Sequence, residues 1–368
     1  MVKDASIDRP LLVVALLLVA LGLLMVYSST MIVAKQNYGD SYFFFKKQLV
    51  WLVIGLVVFF SLIFLRTPIY LNQKLILAFV WLTVLGLFLT FLGDKINNTY
   101  RWIRFAGLSV QPSEFAKIAV VLYLAFMLGK KVELISGFKN LLVVLLPVLV
   151  IEGLIIKEPD FGNFILIAII TLVMLFVSGL AIRYFLILAA ALLPVLYILI
   201  RFNPERMNRV LSFLNPESFA TTSGFQAIQS LYAIGSGGVF GQGIGNSTQK
   251  LFFLPYAYTD FIFAIVAEEL GLIGAVLLIG LFTIFFFRGI VIARHSDNPH
   301  TYLLVIGLTM LVVLQALINI SVTIGIFPTK GIPLPFISSG GTSLLCSLIV
   351  TAIILNVSRQ RKVVFTND

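Results

Sequence analysis

The chain is predicted to be an all-α, polytopic integral membrane protein, on three observations. Of its 368 residues, 60% are hydrophobic and 11% charged, whereas a soluble domain carries roughly 45–50% apolar and roughly 25% charged residues. Mean hydropathy is +1.06, and Phe alone fills 33 positions, so the polar residues could not coat a water-facing surface. The apolar residues fall in unbroken runs, where a transmembrane barrel would alternate in short segments. Disorder is excluded by the same numbers, and the basic, polar make-up of a nucleic-acid-binding domain is missing. A lone cysteine, Cys346, gives no disulfide framework or Cys-based metal site, and two histidines, His295 and His300, leave little for a His-ligated metal.

A helix needs about 20 predominantly apolar residues to cross the bilayer core. Scanning for such runs gives ten candidate spans, at 11–33, 49–65, 75–92, 112–128, 141–156, 164–177, 185–200, 261–287, 302–327 and 344–357. The first is expected to stay in the membrane: its run exceeds the apolar part of a signal peptide, residues 1–10 hold two aspartates beside Lys3 and Arg9, and no small-residue cleavage site follows. No 20–50-residue repeat and no low-complexity linker occurs, so one domain over residues 1–368 is the simplest organisation. Leaving out the long segment 202–259, the Lys/Arg bias of the connectors puts both termini in the cytoplasm. The outer side still carries much positive charge, which points to an anionic ligand there.

Two outer segments are too long to be connectors, 93–111 and 202–259. The second contains an expected interfacial helix at 225–234. Its GSGGVFGQGIG stretch (235–245) fits neither the P-loop nor the dinucleotide pattern and follows no strand, so it reads as a loop needing backbone freedom.

Ionisable residues inside spans cost about 2.5–3.5 kcal/mol each on insertion scales, and each needs a reason. In QPSEFAK (111–117), Pro112 sits at a first helical position. Glu114 and Lys117 then either satisfy the helix start and each other or line a water-filled cavity open to the outer face. In KEPDFGN (157–163), Glu158 and Asp160 form either a solvated turn or a site in which Asp160 faces inward and pairs with Lys117. Glu152 has no evident partner. In TDFIFAIVAEELG (259–271), Thr259 is expected to cap a helix beginning at Asp260, which the helix dipole favours. Capping leaves Glu268 and Glu269, two turns further in, unexplained. Arg101, Trp102 and Arg104 are either an interfacial anchor or a phosphate grip, since arginine holds phosphate oxygens bidentately. Together these residues fit an amphipathic anionic ligand such as a lipid pyrophosphate.

The stretches NTYRWIRFAGLSVQPSEFAK, IGSGGVFGQGIGNSTQKLFFLPYAYTDFIFA, EELGLIG and PTKGIPLPFISSGGTSLL, with MVYSS at 25–29, resemble the SEDS family (shape, elongation, division, sporulation) over nearly the whole chain. The resemblance implies ten transmembrane helices, cytoplasmic termini and residence in the bacterial cytoplasmic membrane. It also implies a peptidoglycan glycosyltransferase that polymerises lipid II at the outer face, paired with a class B penicillin-binding protein and other divisome or elongasome membrane proteins. The family's essential aspartate falls on Asp260, its Arg–Trp pair on Arg101 and Trp102, its QPSE glutamate and following lysine on Glu114 and Lys117, and its cavity aspartate on Asp160. Gln111, Lys330 and Ser338 lie in the same motifs and are implied to meet substrate. The chain reads LPYAYTDFIF where the family often has LPEAHTDFIF, so Tyr256 and Tyr258 remove an acid and a histidine; Ser339 replaces a frequent tyrosine. QPSEFAKIAVVLYLA, GNSTQKLFFLP and QALINISVTIGIFPTKG look more like the division-type FtsW branch than the elongation-type RodA branch.

The implied mechanism has Asp260 as general base, its pKa raised beside Phe261 and Phe263, and Arg101 with Lys117 or Lys330 stabilising the departing diphosphate. A divalent cation, Mg²⁺ or Mn²⁺, held by Asp260 and the diphosphate is an alternative. The competing readings are a flippase for the lipid-linked precursor, which broken helices and midplane charge would suit, and a non-catalytic scaffold.

Overall fold

The computed structural model describes residues 7–65, 69–93, 95, 99–105, 107–130, 137–296 and 298–360. Lys3 and the other residues of 1–6 ahead of the first span lie outside them. Twelve helices and one hairpin make up the described chain: α1 Arg9–Tyr38, α2 Phe43–Phe64, α3 Gln73–Thr90, β1 Ile103–Phe105, β2 Leu108–Val110, α4 Pro112–Lys130, α5 Phe138–Lys157, α6 Phe161–Val177, α7 Ile182–Arg201, α8 Pro204–Leu214, α9 Phe225–Gly237, α10 Ile262–Arg294, α11 Pro299–Thr323 and α12 Gly341–Arg359. Nine of these helices are at least 18 residues long and apolar enough to cross a bilayer, and the 17-residue α6 is a shorter apolar helix. With α6 they correspond to the ten runs read from the sequence.

The chain ascends and descends through these ten helices, so the connectors collect at two ends. The terminus end is closed by polar clasps. Asp8 caps α1 through the Leu11 N–H (3.1 Å) and accepts from Arg288 Nε of α10 (3.1 Å), while its own N–H reaches Ser358 of α12. Asn356 of α12 donates to the last carbonyls of α2, Leu62, Ile63 and Leu65, and accepts from the Tyr70 hydroxyl. Helix ends that would otherwise carry orphan carbonyls are satisfied this way. The other end, called the loop end below, carries the hairpin, α8, α9 and the segments before α10 and α12. The hairpin pairs Ile103 with Val110 and Phe105 with Leu108.

α4, α11 and α12 form the centre and are buried along most of their length, whereas α7 buries no residue and packs mainly on α6 and α8, with Tyr184 against Phe138 of α5. An apolar side chain gains nothing from leaving lipid for a lipid-like interior, so close approach and polar links carry the helix contacts.

α10 is interrupted three turns in. Gly271 sits at φ 68°, ψ −165°, outside helical geometry. In a continuous helix, the Glu268 and Glu269 carbonyls would accept from Leu272 and Ile273. Here the glycine loop is spliced into the break. Glu268 O accepts from Gln242 N–H (2.9 Å) and Glu269 O from Gly243 N–H (3.0 Å), while Leu272 N–H donates to Gly238 O (2.9 Å) and Ile273 N–H to Val239 O (3.3 Å). Irregular backbone within a membrane bundle survives only when protein groups satisfy it in this way. The approach needs glycine: a Cβ on Gly271 would lie 2.3 Å from the Gly241 nitrogen. Freedom of the backbone is therefore what GSGGVFGQGIG supplies.

The two glutamates left unexplained by sequence hold this splice. Glu268 accepts from the Ser247 hydroxyl and from the backbone N–H and hydroxyl of Thr248, both at 2.9 Å. Glu269 pairs with Lys250 (2.9 Å) and accepts from Ser28 of α1 (2.7 Å). Lys250 also donates to Gly245 O (2.6 Å). Both members of the Lys250–Glu269 pair are buried. Removing one partner strands a buried charge, at roughly 3–5 kcal/mol. Lys250→Met should therefore lower the thermal midpoint of the detergent-solubilised protein sharply, and adding Glu269→Gln to it should recover most of the loss. A double variant no more stable than the single one would contradict this pairing.

Candidate functional site

Asp260 does not begin α10. The helix starts at Ile262 with Phe261 at its N-cap and no side-chain cap, so the expected Thr259 cap and Asp260 helix start are corrected. The reason is a tight turn. Tyr256, at φ 58°, offers one carbonyl to three successive N–H groups, those of Thr259, Asp260 and Phe261, at 3.1–3.3 Å. The turn holds residues 259–261 ahead of the helix, and no side chain caps the first N–H groups of α10, so the aspartate carries no capping role.

The turn is pinned from two sides. Asn319 of α11 donates its amide to Asp260 O (2.8 Å) and to Ile332 O (2.7 Å). The Ser338 hydroxyl donates to Thr259 O (2.6 Å) and accepts from Leu334 N–H (2.7 Å), and Ser339 N–H donates to Tyr258 O (2.9 Å). Ser338 therefore shapes the segment that carries Asp260. The Asp260 carboxyl lies against Gly331, where an added Cβ would stand 3.2 Å from Oδ2. It accepts no hydrogen bond from the described residues. Burial pushes it up to about 7, against the opposing pull of Arg209 and Arg101 and with a smaller push from Asp160.

Asp160 is the opposite kind of carboxylate. It caps α6 through the Asn163 N–H (3.3 Å), and its Oδ2 accepts from Gln111 Nε2 (3.0 Å), Ser113 Oγ (3.0 Å) and Asn163 Nδ2 (2.9 Å). Arg101 stands 3.9 Å away and clamps the same turn by donating to the Glu158 (3.3 Å) and Pro159 carbonyls. Asp160 does face inward, but its cation is Arg101, which corrects the expected pairing with Lys117. Nor is the turn solvated: Glu158 is buried and accepts from the Thr90 hydroxyl (2.7 Å).

Lys117 donates to Glu114 (2.8 Å) and to Gln315 of α11 (2.8 Å), whose amide continues to Pro333 O (2.8 Å). Both charges are buried. The pair ties α4 to α11 and to the segment that carries Lys330 and Gly331. Glu152, on α5, has no counterpart in the site.

The cations gather elsewhere. Arg206 stacks over the Phe161 ring at 4.7 Å, and Lys330 Nζ lies 5.0 Å from the same ring. Burial, with Arg209 next in weight, brings Lys330 down to about 8. Burial and then the neighbouring Arg101 and Arg209 also lower Arg206. Arg206 and Arg209 are one turn apart on α8, which starts properly with the Asn203 cap and Pro204. Sequence reasoning counted both only as charges of a long loop; the i, i+3 spacing behind an Asn-Pro start was the available signal. Like charges this close oppose one another unless an anion joins them. Among the described residues, no three His, Cys, Asp or Glu side chains cluster to hold a metal ion.

Trp102, next to Arg101, points elsewhere. It lines a cleft with Phe44, Gln48, Trp51, Ser109 and Ser339, between the start of α2, the hairpin and the start of α12.

Fold and site define a polytopic helical membrane protein with an unpaired carboxylate facing a collar of guanidinium and ammonium groups at one end of its bundle. Residues 8–363 match the family model FtsW/RodA/SpoVE, described as cell cycle protein. The chain belongs to this family. It is 39% identical over 365 residues to a probable peptidoglycan glycosyltransferase FtsW of Trichlorobacter lovleyi, covering 97% of this chain and 94% of that protein. It is 38% identical to stage V sporulation protein E of Bacillus subtilis, covering 98% and 99%. A chain from a solved peptidoglycan synthase complex, studied for its coordination of polymerization and crosslinking, superimposes with a TM-score of 0.81 at 28% identity, over 98% of this chain and 99% of that one. The rod shape determining protein RodA of Thermus thermophilus gives 0.69 at 26% identity, covering 97% and 98%.

Proposed function

We propose that this chain is a peptidoglycan glycosyltransferase that polymerises lipid II into β-1,4-linked glycan with inversion. It works at the outer face of the bacterial cytoplasmic membrane, with both termini in the cytoplasm. The observation that carries the reading is the Asp260 carboxylate, without a hydrogen-bond donor among the described residues and poised near neutrality among cations. A general base works best when its pKa lies near the operating pH. Supporting it are the relatives named as glycosyltransferases and the resemblance to a chain of a synthase complex.

In this reaction, the 4-hydroxyl oxygen of the acceptor's terminal GlcNAc attacks the anomeric carbon of a MurNAc linked to undecaprenyl diphosphate. The O4–C1 bond forms, and the C1–O bond to phosphate breaks. The hydroxyl proton passes to Asp260, and undecaprenyl diphosphate leaves with the bonding electron pair. Arg101 and Lys330 bind the diphosphate and stabilise its growing charge, with Asp160 and Gln111 holding Arg101 and its turn. Glu114 and Lys117 act at one remove, fixing the backbone beside Lys330 through Gln315. An Mg²⁺ or Mn²⁺ ion would find a protein ligand in Asp260, which is free of donors, but not in Asp160, which is saturated with them. Such an ion would take its other ligands from the diphosphate and water and neutralise charge there.

The partner class that fits is a class B penicillin-binding protein, within a divisome or elongasome assembly, since the similar solved chain belongs to a complex that also crosslinks. A flippase would need its charges near the midplane; Glu114–Lys117 and Lys250–Glu269 are spent on internal pairs, and the open groups lie at the loop end.

Two outcomes are expected. Asp260→Asn, purified with unchanged thermal stability, should form no glycan polymer from lipid II; polymer at wild-type yield would overturn the role of Asp260. Gly331→Ala pushes a methyl to within 3.2 Å of the carboxylate. It should cut turnover on the order of tenfold or more, because small misplacements of reacting groups are costly, while leaving the thermal midpoint nearly unmoved. Unchanged turnover would mean that Asp260 is not held against Gly331.

A further inference from the structure

Arg101 and Trp102 are consecutive yet serve different compartments. The guanidinium reaches Glu158, Pro159 and Asp160, whereas the indole lines the cleft with Phe44, Gln48, Trp51, Ser109 and Ser339. The wall between the two is one strand of chain. Tyr258 and Thr259 are bonded through their carbonyls to Ser339 N–H and Ser338 Oγ at the cleft's border, and the Tyr258 ring packs on Phe44 with centroids 5.4 Å apart. Residue 260, next along, faces the cations.

The lining has a definite chemistry. Two indoles and a phenyl ring offer apolar faces, and Gln48, Ser109 and Ser339 offer hydrogen-bonding groups among them. Gln48 is 3% exposed, and its Oε1 accepts from Gly340 N–H (3.3 Å). Its amide nitrogen has no acceptor among the described residues and is left free for a ligand in the cleft that Gln48 lines. Aromatic faces with a few placed polar groups make an organic-ligand pocket. They match a ligand with C–H faces and polar edges, which is a pyranose bearing hydroxyl and acetamido groups. An acyl chain would leave the Gln48 donor and both serines unpaired. A diphosphate would meet one cation, the exposed Lys47 at the rim.

We infer that this cleft binds the amino-sugar ring of the acceptor and holds it on the opposite side of residues 258–259 from the diphosphate, with its reacting hydroxyl at the Asp260 edge. Assigning the ring to the acceptor rests on the glycosyltransferase reading; the preference of the cleft for an amino sugar does not. Trp102 and Gln48 are then sugar-binding residues, and Trp51, whose ring stands where a Cβ on Gly341 would lie, forms the floor.

The test is equilibrium binding of the lipid-free GlcNAc–MurNAc disaccharide to the purified full-length protein, with inorganic diphosphate as the competing probe. Wild type should bind the disaccharide, and diphosphate should not displace it. Trp102→Ala should bind at least about tenfold more weakly, as truncation of an aromatic anchor does. Lys47→Ala, whose side chain is exposed and whose folding is not at stake, should bind about threefold more weakly. Unchanged affinity in both variants, or displacement by diphosphate, overturns the proposal. Disaccharide binding with these losses in a protein that makes no polymer would overturn only the glycosyltransferase reading. Polymerisation with unchanged acceptor KM in both variants would overturn only the cleft.

Discussion

A carboxylate without a hydrogen-bond donor is costly inside a protein, and the described residues of the loop end are arranged so that none donates to Asp260. The turn closed by Tyr256 O holds Asp260 two residues ahead of α10, and no donor among the described residues reaches its carboxylate. It is denied an ion pair as well, because Asp160 engages Arg101 and Lys117 is committed to Glu114. Burial then raises it, and only the longer-range fields of Arg209 and Arg101 keep it within reach of neutral pH. Perturbed titration of this kind concentrates where chemistry is done.

Holding that state requires rigidity that lipid does not supply. The bundle obtains it by sorting its charges. Lys117–Glu114 and Lys250–Glu269 are buried, hydrogen-bonded and neutral as pairs, so they fasten elements together. One fixes α4 to α11 and to the segment of Lys330. The other fixes the glycine loop into the break of α10 and both to α1, and so anchors the chain ten residues before Asp260. The collar of Arg101, Arg206, Arg209 and Lys330 is the remainder. Arg206 and Lys330 are pulled down by burial and by neighbouring cations, Arg101 stays beside Asp160, and together the collar suits an anionic ligand.

The ten spans were legible because a bilayer imposes a length and leaves no polar alternative. Much of the site was legible as residue identity: Asp260, Arg101, Trp102 and Asp160 all come to the loop end. Partnership was not legible. Whether Asp160 meets Arg101 or Lys117 depends on how α5, α6 and the hairpin approach, which no spacing within one segment encodes. The start of α10 was misplaced by two residues because dipole and capping rules favour Asp at a helix start, and nothing local announces the tight turn at Tyr256 that holds residues 259–261 ahead of the helix. Glu268 and Glu269 looked like unexplained charges because their partners, Ser247 to Lys250 and Ser28, converge only once the glycine loop replaces a helical turn's bonds. Arg206 and Arg209 passed as loop charge because α8 is short and the ring on which Arg206 stacks, Phe161, comes from α6, far away in sequence.

The central claim is that one proton, on Asp260, gates turnover, and the pH dependence of single-turnover glycan formation tests it most directly. The rate should climb with pH as Asp260 loses its proton, with an acid limb centred at about 7 and a plateau above it. Because Arg209 holds this pKa down, Arg209→Gln should move that limb to higher pH. A rate flat from about pH 5 to about pH 8, or a limb that moves downward in the Arg209 variant, would contradict the account.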